Sequence, residues 1–279
     1  MTQSAVVLTH PGMIQVQLPH PQMPLMDGIL WGALDAFPTP AYWHYQVVSR
    51  RLAGRPAPYR LGRSLAEEVG ACLLGGHGIP ATVGLAAYSS LRERGAFSGE
   101  VHSQETLEAW LREPLIVGER HLNYRFAAQK AKYLAAALPM LRDAPAFTVG
   151  RDLRDWLLQL AGIGPKTASW IARNWLDADD VAILDIHIMR LGQVIGLFPR
   201  DFTVERHYLE LEGLFLQFST ALGVRASELD AVMWHEMASS PAVAGFVMDQ
   251  LEREQPTLRK GRARAKPVRR PHPAQMALV

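Results

Sequence analysis

The sequence predicts a mainly α-helical protein with an irregular, partly β N-terminal extension. Apolar residues recur at spacings of three and four through most of residues 64–254, as expected for amphipathic helices. Glycines, prolines and capping residues divide this region into short helices. The first 60 residues instead carry prolines at positions 11, 19, 21, 24, 38, 40, 56 and 58, and we expect these to exclude long helices there.

The N-terminal 60 residues contain two stretches of extended character. The segments AVVLTH and MIQVQLP could pair as strands, while PAYWHYQVV is rich in aromatic residues and is expected to pack on the main body. We therefore predict an N-terminal extension over residues 1–60, a helical core over residues 61–252 and a tail over residues 253–279.

The helical core begins at Ser64, which forms a capping-box pattern with Glu67. Helices are then predicted, in order, in SLAEEVGACLLGG, PATVGLAAYSSLRERG, SQETLEAWLRE, NYRFAAQKAKYLAAALPML and TVGRDLRDWLLQL. Five more follow in residues 165–177, DIHIMRLGQVIGLF, TVERHYLELEGLFLQFSTALG, RASELDAVMWHEMASS and PAVAGFVMDQLERE.

Composition narrows the functional classes. Hydrophobic residues make up 48% and charged residues 20% of the 279-residue chain, which is ordinary for a globular protein. The single cysteine, Cys72, excludes an internal disulfide and any all-cysteine metal site, and it fits a reducing compartment. No apolar run approaches the roughly 18 residues of a membrane span, and the N-terminus lacks a signal-peptide pattern.

Basic residues are concentrated near the C-terminus. Residues 259–270, RKGRARAKPVRR, contain seven Lys or Arg and no acid, whereas the rest of the chain carries 22 basic and 27 acidic residues. A segment of this composition is expected to be disordered. It could hold a phosphate backbone electrostatically, although a solubilising tail is the simpler explanation of a charge run alone.

A glycine-rich break interrupts the helical pattern at LAGIGPK, residues 160–166. Gly162 and Gly164, on either side of Ile163, are too flexible to continue a helix, and Pro165 suits the first turn of the next one. Glycines let a phosphate approach the backbone closely, and the free N–H groups of a helix start favour an anion. A short glycine pattern on its own is nevertheless more often a plain turn between helices.

The residues around this break match Leu-x-x-Leu-x-Gly-Ile-Gly-x-Lys-x-Ala, followed by an aspartate with a histidine and an arginine close behind it. The matching residues are Leu157, Leu160, Gly162, Ile163, Gly164, Lys166 and Ala168, then Asp185, His187 and Arg190 of LDIHIMR. The combination resembles the helix-hairpin-helix (HhH-GPD) superfamily of DNA glycosylases, most of all its lysine-containing 8-oxoguanine DNA glycosylase/AP lyase type. The resemblance implies a two-lobed helical fold, with damaged or modified double-stranded DNA as the partner.

The resemblance assigns chemistry to Lys166 and Asp185. Asp185 would stabilise the positive charge that develops on deoxyribose as the N-glycosidic bond breaks. Lys166 would attack C1′ of the sugar and form a Schiff base. The backbone of residues 162–164 would bind a DNA phosphate. Two plainer explanations remain open, because Lys166 could only contact a phosphate and Asp185 could cap the helix that follows it.

Base recognition requires a flipped base to be stacked between side chains. In the 8-oxoguanine glycosylases that the sequence resembles, the residue one turn after the lysine lines the base pocket, and here that residue is Trp170. A late helix there supplies a polar residue and an aromatic one four positions apart, matched by Asp230 and Trp234. Core packing explains the two tryptophans equally well. His77 and His235 could contact DNA, but a lone histidine usually does not.

The sequence departs from the endonuclease III branch, which carries four cysteines for an iron–sulfur cluster and the sequence PGVGRKTA where this chain has AGIGPKTA. We therefore expect no iron–sulfur cluster and no metal-dependent chemistry, although the resemblance allows a monovalent cation at the hairpin. The expected protein is a cytoplasmic, nucleoid-associated monomer that binds no membrane.

The expected function is excision of an oxidised purine such as 8-oxoguanine, with AP lyase activity. One alternative is a glycosylase for a different damaged or modified base, including modified bases of foreign DNA. The others are a non-catalytic helix-hairpin-helix DNA-binding module and a helical interaction protein with no nucleic-acid role.

Overall fold

The computed structural model describes residues 2–9, 12–54, 59–76 and 78–253. These residues form eleven helices and three two-stranded antiparallel sheets, so the mainly α prediction is confirmed. They divide into two compact units, one with residues 2–54 and 182–253 and the other with residues 59–181. His77 and the predicted basic tail, apart from Arg253, lie outside the described residues.

In chain order the elements are β1 Gln3–Leu8, β2 Met13–Leu18, β3 Pro24–Met26, β4 Ile29–Leu30, α1 Pro40–Ala53, α2 Leu65–Leu74, α3 Ala81–Glu93, α4 Gln104–Arg112, β5 Leu115–Val117, β6 Arg120–Leu122, α5 Ala127–Arg142, α6 Gly150–Leu157, α7 Pro165–Leu176, α8 Ile186–Ile195, α9 Tyr208–Leu222, α10 Ala226–Ser239 and α11 Pro241–Arg253. The described chain contains no helix that is both long and apolar enough to cross a membrane.

The N-terminal strands form as predicted, but a helix follows them that the proline pattern led us not to expect. β1 and β2 pair antiparallel, with Val7 opposite Ile14. Helix α1 then runs for 14 residues. Pro40 occupies its first turn, where a missing N–H costs nothing, and Thr39 Oγ1 caps it by accepting from the Tyr42 N–H at 3.2 Å. No proline follows until Pro56, so excluding long helices from the first 60 residues was wrong over residues 40–53.

The unit that contains residues 2–54 and 182–253 is built around one apolar core. The N-terminal segment contributes Leu18, Ile29, Trp31 and Trp43 to this core. Helices α8, α9 and α10 contribute most of the rest, including several large aromatic side chains. The N-terminal residues therefore share a core with the C-terminal helices, although more than a hundred residues separate them in the sequence.

The unit of residues 59–181 is helical apart from one short β-hairpin, formed by β5 and β6. Its core draws on α2 to α7 and is mostly leucine and alanine. The predicted capping box is present in part, because Ser64 Oγ accepts from the Glu67 N–H at 3.2 Å, while the Glu67 carboxylate accepts from the Arg63 N–H at 2.7 Å. Strands β5 and β6 were not predicted. They are three residues each and are joined by a turn that includes Gly118 at φ +61°.

Candidate active site

The predicted hairpin lies between α6 and α7. After α6 the chain makes tight turns, and the Ile163 N–H donates to the Leu160 carbonyl at 3.1 Å. Pro165 then begins α7, with Gly164 as its N-cap residue. The side chain of Ile163 is buried in the core with Leu157 and Leu160. Only the backbone of Ile163 is therefore available to a ligand at this turn.

The two hairpin glycines have different requirements. Gly162 has φ +84°, and a Cβ atom there would lie 2.3 Å from Cδ2 of Tyr133, so the fold itself demands glycine. Gly164 has φ −97°, and a Cβ atom there would meet nothing within 4 Å. The fold does not need glycine at 164. Its absence of a side chain leaves the backbone open to close approach by a group from outside.

The start of α7 has the features of an anion-binding site. No side chain caps this helix, and the Ala168 N–H donates to the Gly164 carbonyl at 2.9 Å. The N–H groups of Lys166 and Thr167 have no acceptor within the described part of the chain. These orphan donors and the positive end of the helix dipole favour a negatively charged ligand. Lys166, the second residue of α7, is exposed beside them.

Trp170 lies one turn further along α7. It is half-buried and packs against the core of the 59–181 unit. The edge of its ring, Cη2, faces Gly75 at the end of α2, where an added Cβ would lie 3.9 Å away. Trp170 therefore packs in the core as the simpler explanation proposed, and its role in base binding stays a prediction.

Asp185 is the N-cap residue of α8, as the alternative explanation of its sequence position predicted. Its Oδ1 accepts from the N–H of His187 at 2.8 Å and of Ile188 at 3.0 Å. The residue is 9% exposed. Its other oxygen, Oδ2, accepts no hydrogen bond from the described residues. Capping thus fixes the carboxylate while leaving one oxygen for other chemistry.

Asp230 and Trp234 lie one turn apart on α10, in the same unit as Asp185. Asp230 is 2% exposed, and its Oδ2 accepts from the Ile183 N–H at 3.1 Å. Trp234 is half-buried against the core of that unit. His235 follows it, and burial, helped by Arg50, lowers the pKa of its imidazole. The structure therefore brings Asp230 next to the segment that leads into Asp185.

The predicted residues fall into two groups. Residues 162–164, Lys166 and Trp170 belong to the 59–181 unit, whereas Asp185, Asp230 and Trp234 belong to the other. No group of three His, Cys, Asp or Glu side chains in the described ranges is placed to hold a metal ion. Sequence reasoning missed Tyr208 and Glu212, which contact the backbone just before Asp185. Their signal was two polar residues four apart on the otherwise apolar face of α9.

Comparison with known proteins gives this hairpin a family. The model of the 8-oxoguanine DNA glycosylase family matches residues 62–224, which is more than half of the chain. The chain belongs to this family. The match to the 8-oxoguanine DNA glycosylase family includes the hairpin, Lys166 and Asp185, but it ends before Asp230 and Trp234. It also leaves out residues 2–54.

Two curated relatives of the same family have the name 8-oxoguanine DNA glycosylase/AP lyase. The protein of Methanocaldococcus jannaschii is 33% identical over 131 residues, 44% of this chain and 62% of that protein. The protein of Metallosphaera sedula is 30% identical over 126 residues, 42% of this chain and 59% of that protein. The match therefore spans less than two thirds of the length of these relatives.

Solved structures agree on the fold. The crystal structure of the Methanocaldococcus jannaschii 8-oxoguanine DNA glycosylase has a TM-score of 0.50 at 26% identity, over 64% of this chain and 81% of that chain. An endonuclease III in a non-covalent complex with DNA has a TM-score of 0.53 at 17% identity, over 78% of this chain and 99% of that chain. The helix-hairpin-helix glycosylase fold predicted from the sequence is confirmed.

Proposed function

We propose that this protein is a DNA glycosylase and AP lyase that removes 8-oxoguanine from double-stranded DNA through a Schiff base on Lys166. The observation that carries the proposal is the hairpin. It combines an exposed lysine, uncapped first-turn N–H groups and a glycine that the fold does not need, within the region matched by the 8-oxoguanine DNA glycosylase family. A phosphate bound at the N–H groups would hold the DNA backbone beside the Lys166 amine.

The proposed reaction assigns one role to each of the two predicted catalytic residues. Lys166 acts as the neutral amine, and the lone pair of its Nζ forms a bond to C1′ while the bond from C1′ to the base breaks. The base leaves with the electron pair of the broken bond and takes up a proton. The carboxylate of Asp185 stabilises the positive charge that the sugar develops. The attached nitrogen loses one proton and O4′ gains one as the ring opens, which leaves the protonated Schiff base and a free hydroxyl group. Loss of a C2′ proton then expels the 3′ phosphate and cuts the strand.

The hairpin carbonyls also suit the monovalent cation that the family resemblance implied. The carbonyl oxygens of residues 161–163 accept no hydrogen bond from the described residues. Neutral oxygen donors are the ligands that hard cations prefer. Under this proposal these carbonyls would hold the cation, which would supply positive charge for a DNA phosphate, while the covalent chemistry stays with Lys166.

The predicted base-binding residues are Trp170, Asp230 and Trp234. Trp170 and Trp234 are half-buried, so each could keep one face for a base. Asp230 would have to read the base with a buried carboxylate that already accepts the Ile183 N–H, which argues for another role. A panel of duplexes, each with one lesion or modified base, tests base choice, with the damaged or foreign modified bases as the alternative substrates.

Borohydride trapping tests the central step. On a duplex carrying 8-oxoguanine, reduction should yield a covalent protein–DNA adduct that Lys166→Gln abolishes. Lys130→Gln is the matched control, because burial lowers the pKa of the Lys130 ammonium and makes it the rival amine of the same unit. An adduct that forms in Lys166→Gln but not in Lys130→Gln would show that Lys130, and not Lys166, is the nucleophile.

The same experiment separates the alternative functions. Release of free base without any adduct would indicate a glycosylase without a Schiff base. DNA binding with no base release on any duplex of the panel would favour the non-catalytic module. We also propose that the protein is cytoplasmic, associates with the nucleoid and is a monomer. Sedimentation of the protein alone and with DNA measures its oligomeric state.

A further inference from the structure

The segment that leads into Asp185 is held by side chains instead of by a neighbouring strand. Residues 182–184 form no strand pair with any described residue. Three consecutive backbone N–H groups nevertheless have partners there. The Ala182 N–H donates to Glu212 Oε1 at 3.0 Å, and the Ile183 N–H donates to Asp230 Oδ2 at 3.1 Å.

Tyr208 completes this set of contacts from the first residue of α9. Its hydroxyl accepts from the Leu184 N–H at 3.2 Å and donates to the Ala182 carbonyl at 2.8 Å. One hydroxyl thus bridges two residues of the segment. We call Tyr208, Glu212 and Asp230, taken together, the segment clamp.

All three clamp side chains are buried. Tyr208 is 5% exposed, Glu212 3% and Asp230 2%. Burying two carboxylates costs free energy that an apolar core would not incur, so their presence calls for a reason. The bonds to Glu212 and Tyr208 are buried, where a hydrogen bond is stronger than at the surface, and the bond to Asp230 is partly buried. The clamp can therefore fix the backbone of residues 182–184 within narrow limits.

The clamp meets the cap of α8 at Asp185. On the C-terminal side the Asp185 carboxylate is tied to the His187 and Ile188 N–H groups, and on the N-terminal side the backbone is tied at residues 182–184. The residue is therefore restrained from both directions. Restraint of this kind matters most where a charge must be placed before the reaction, since a carboxylate that need not reorient stabilises a developing cation best.

We propose that Tyr208 and Glu212, together with Asp230, are positioning residues for the carboxylate of Asp185. This inference rests on the proposed function for its catalytic consequence, but its geometric part does not. The clamp acts through the backbone and touches neither substrate nor sugar. The alternative is that these side chains only satisfy buried backbone groups and contribute to stability alone.

Tyr208→Phe tests the proposal, because it deletes one oxygen and keeps the ring. Tyr88→Phe is the matched control, since Tyr88 is also buried and its hydroxyl also contacts a carboxylate, Glu67 at 3.0 Å, and a backbone carbonyl, Leu61 at 3.5 Å, in the other unit. Both variants should lose comparable stability. Only Tyr208→Phe should speed hydrogen exchange at the Leu184, His187 and Ile188 amides, by about tenfold.

The catalytic readout is a double-mutant cycle with Asp185→Asn. In single-turnover excision from an 8-oxoguanine duplex, Tyr208→Phe should slow the rate by about tenfold while affinity for an uncleavable abasic analogue stays unchanged. In the Asp185→Asn background the same change should have no further effect. Tyr88→Phe should leave the rate unchanged in both backgrounds.

The outcomes separate this inference from the proposed function. A rate loss of equal size in the Asp185→Asn background would show that Tyr208 does not act through Asp185 and would overturn the proposal. Unchanged exchange at His187 and Ile188 would also overturn it, whatever the activity. Faster exchange at these amides, with no excision by the wild type on any duplex, would uphold the positioning of Asp185 and refute the proposed function instead.

Discussion

Replacing each hairpin glycine by alanine separates what the fold needs from what DNA needs. Gly162→Ala places a methyl group on a backbone with φ +84°, and a left-handed conformation costs an L-residue about 1–2 kcal/mol. The methyl would also lie 2.3 Å from Tyr133 Cδ2, where ordinary contact begins at 3.4 Å, so the ring must move. Overpacking of this kind costs about 1–3 kcal/mol. The free energy of unfolding should therefore fall by about 2–5 kcal/mol.

Gly164→Ala should leave stability almost unchanged. Its φ of −97° is open to alanine, and no atom lies within 4 Å of the added Cβ. Loss of unfolded-state entropy stabilises by about 0.4–1 kcal/mol, and alanine is the poorer N-cap residue by a similar amount, so the two effects offset. DNA affinity should nevertheless drop by about tenfold or more, because the methyl group stands where a phosphate approaches the first-turn N–H groups.

Chemical denaturation and fluorescence anisotropy with an abasic-analogue duplex measure these two quantities. Gly213→Ala is the control, a glycine inside α9 with nothing within 4 Å of an added Cβ. It should stabilise by about 1 kcal/mol and leave DNA affinity unchanged. Wild-type DNA affinity in Gly164→Ala, or a stability loss there as large as in Gly162→Ala, would refute this account of the hairpin.

Three further predictions concern the catalytic carboxylate, the tail and pH. Asp185→Asn should slow excision by about 10²–10³-fold while DNA binding is retained. The free energy of unfolding should change by less than about 0.5 kcal/mol, because asparagine caps a helix nearly as well as aspartate. A single-turnover rate equal to that of the wild type would remove Asp185 from the mechanism. Deletion of residues 255–279, which contain seven clustered cations, should weaken DNA binding without altering base choice. The slope of log affinity against log salt concentration should flatten by about 0.9 for each phosphate that the tail had neutralised. An unchanged slope would mean that the tail does not contact DNA. Burial lowers the pKa of His44, whose Nδ1 lies 2.8 Å from the Leu222 carbonyl, so the unfolded chain binds the proton more tightly and stability should be lost as pH falls below about 6.5. Chemical denaturation at pH 7.5 and 5.5 should show a smaller loss of stability in His44→Gln than in the wild type. An equal loss would exclude His44 as the source.

Local features of the site could be predicted from the sequence, because neighbouring residues determine them. The break at Gly162, the start of α7 at Pro165 and the cap at Asp185 each depend on residues within about four positions. The pairing of β1 with β2 follows from their alternation and closeness in sequence. The helix at residues 40–53 could have been predicted for the same reason, because no proline follows Pro40 until Pro56.

The segment clamp could not be predicted in this way. Tyr208 is 24 residues from Leu184, and Glu212 is 30 residues from Ala182. Periodicity identifies the buried face of α9 but not the backbone that packs against it. Asp230 illustrates the same limit, since its spacing from Trp234 suggested a base contact, while the structure has its carboxylate bonded to the Ile183 N–H, 47 residues away.

The order of the two units along the chain has a consequence for synthesis. The unit of residues 59–181 is continuous, so its core can assemble as soon as it leaves the ribosome. Residues 2–54 emerge first, but most of the core that contains Trp31 and Trp43 comes from residues after 181. At about 5–20 residues per second, synthesis of the roughly 200 residues that follow takes about 10–40 seconds. During that interval Trp31 and Trp43 lack this core, and we expect chaperones to bind nascent chains at these residues.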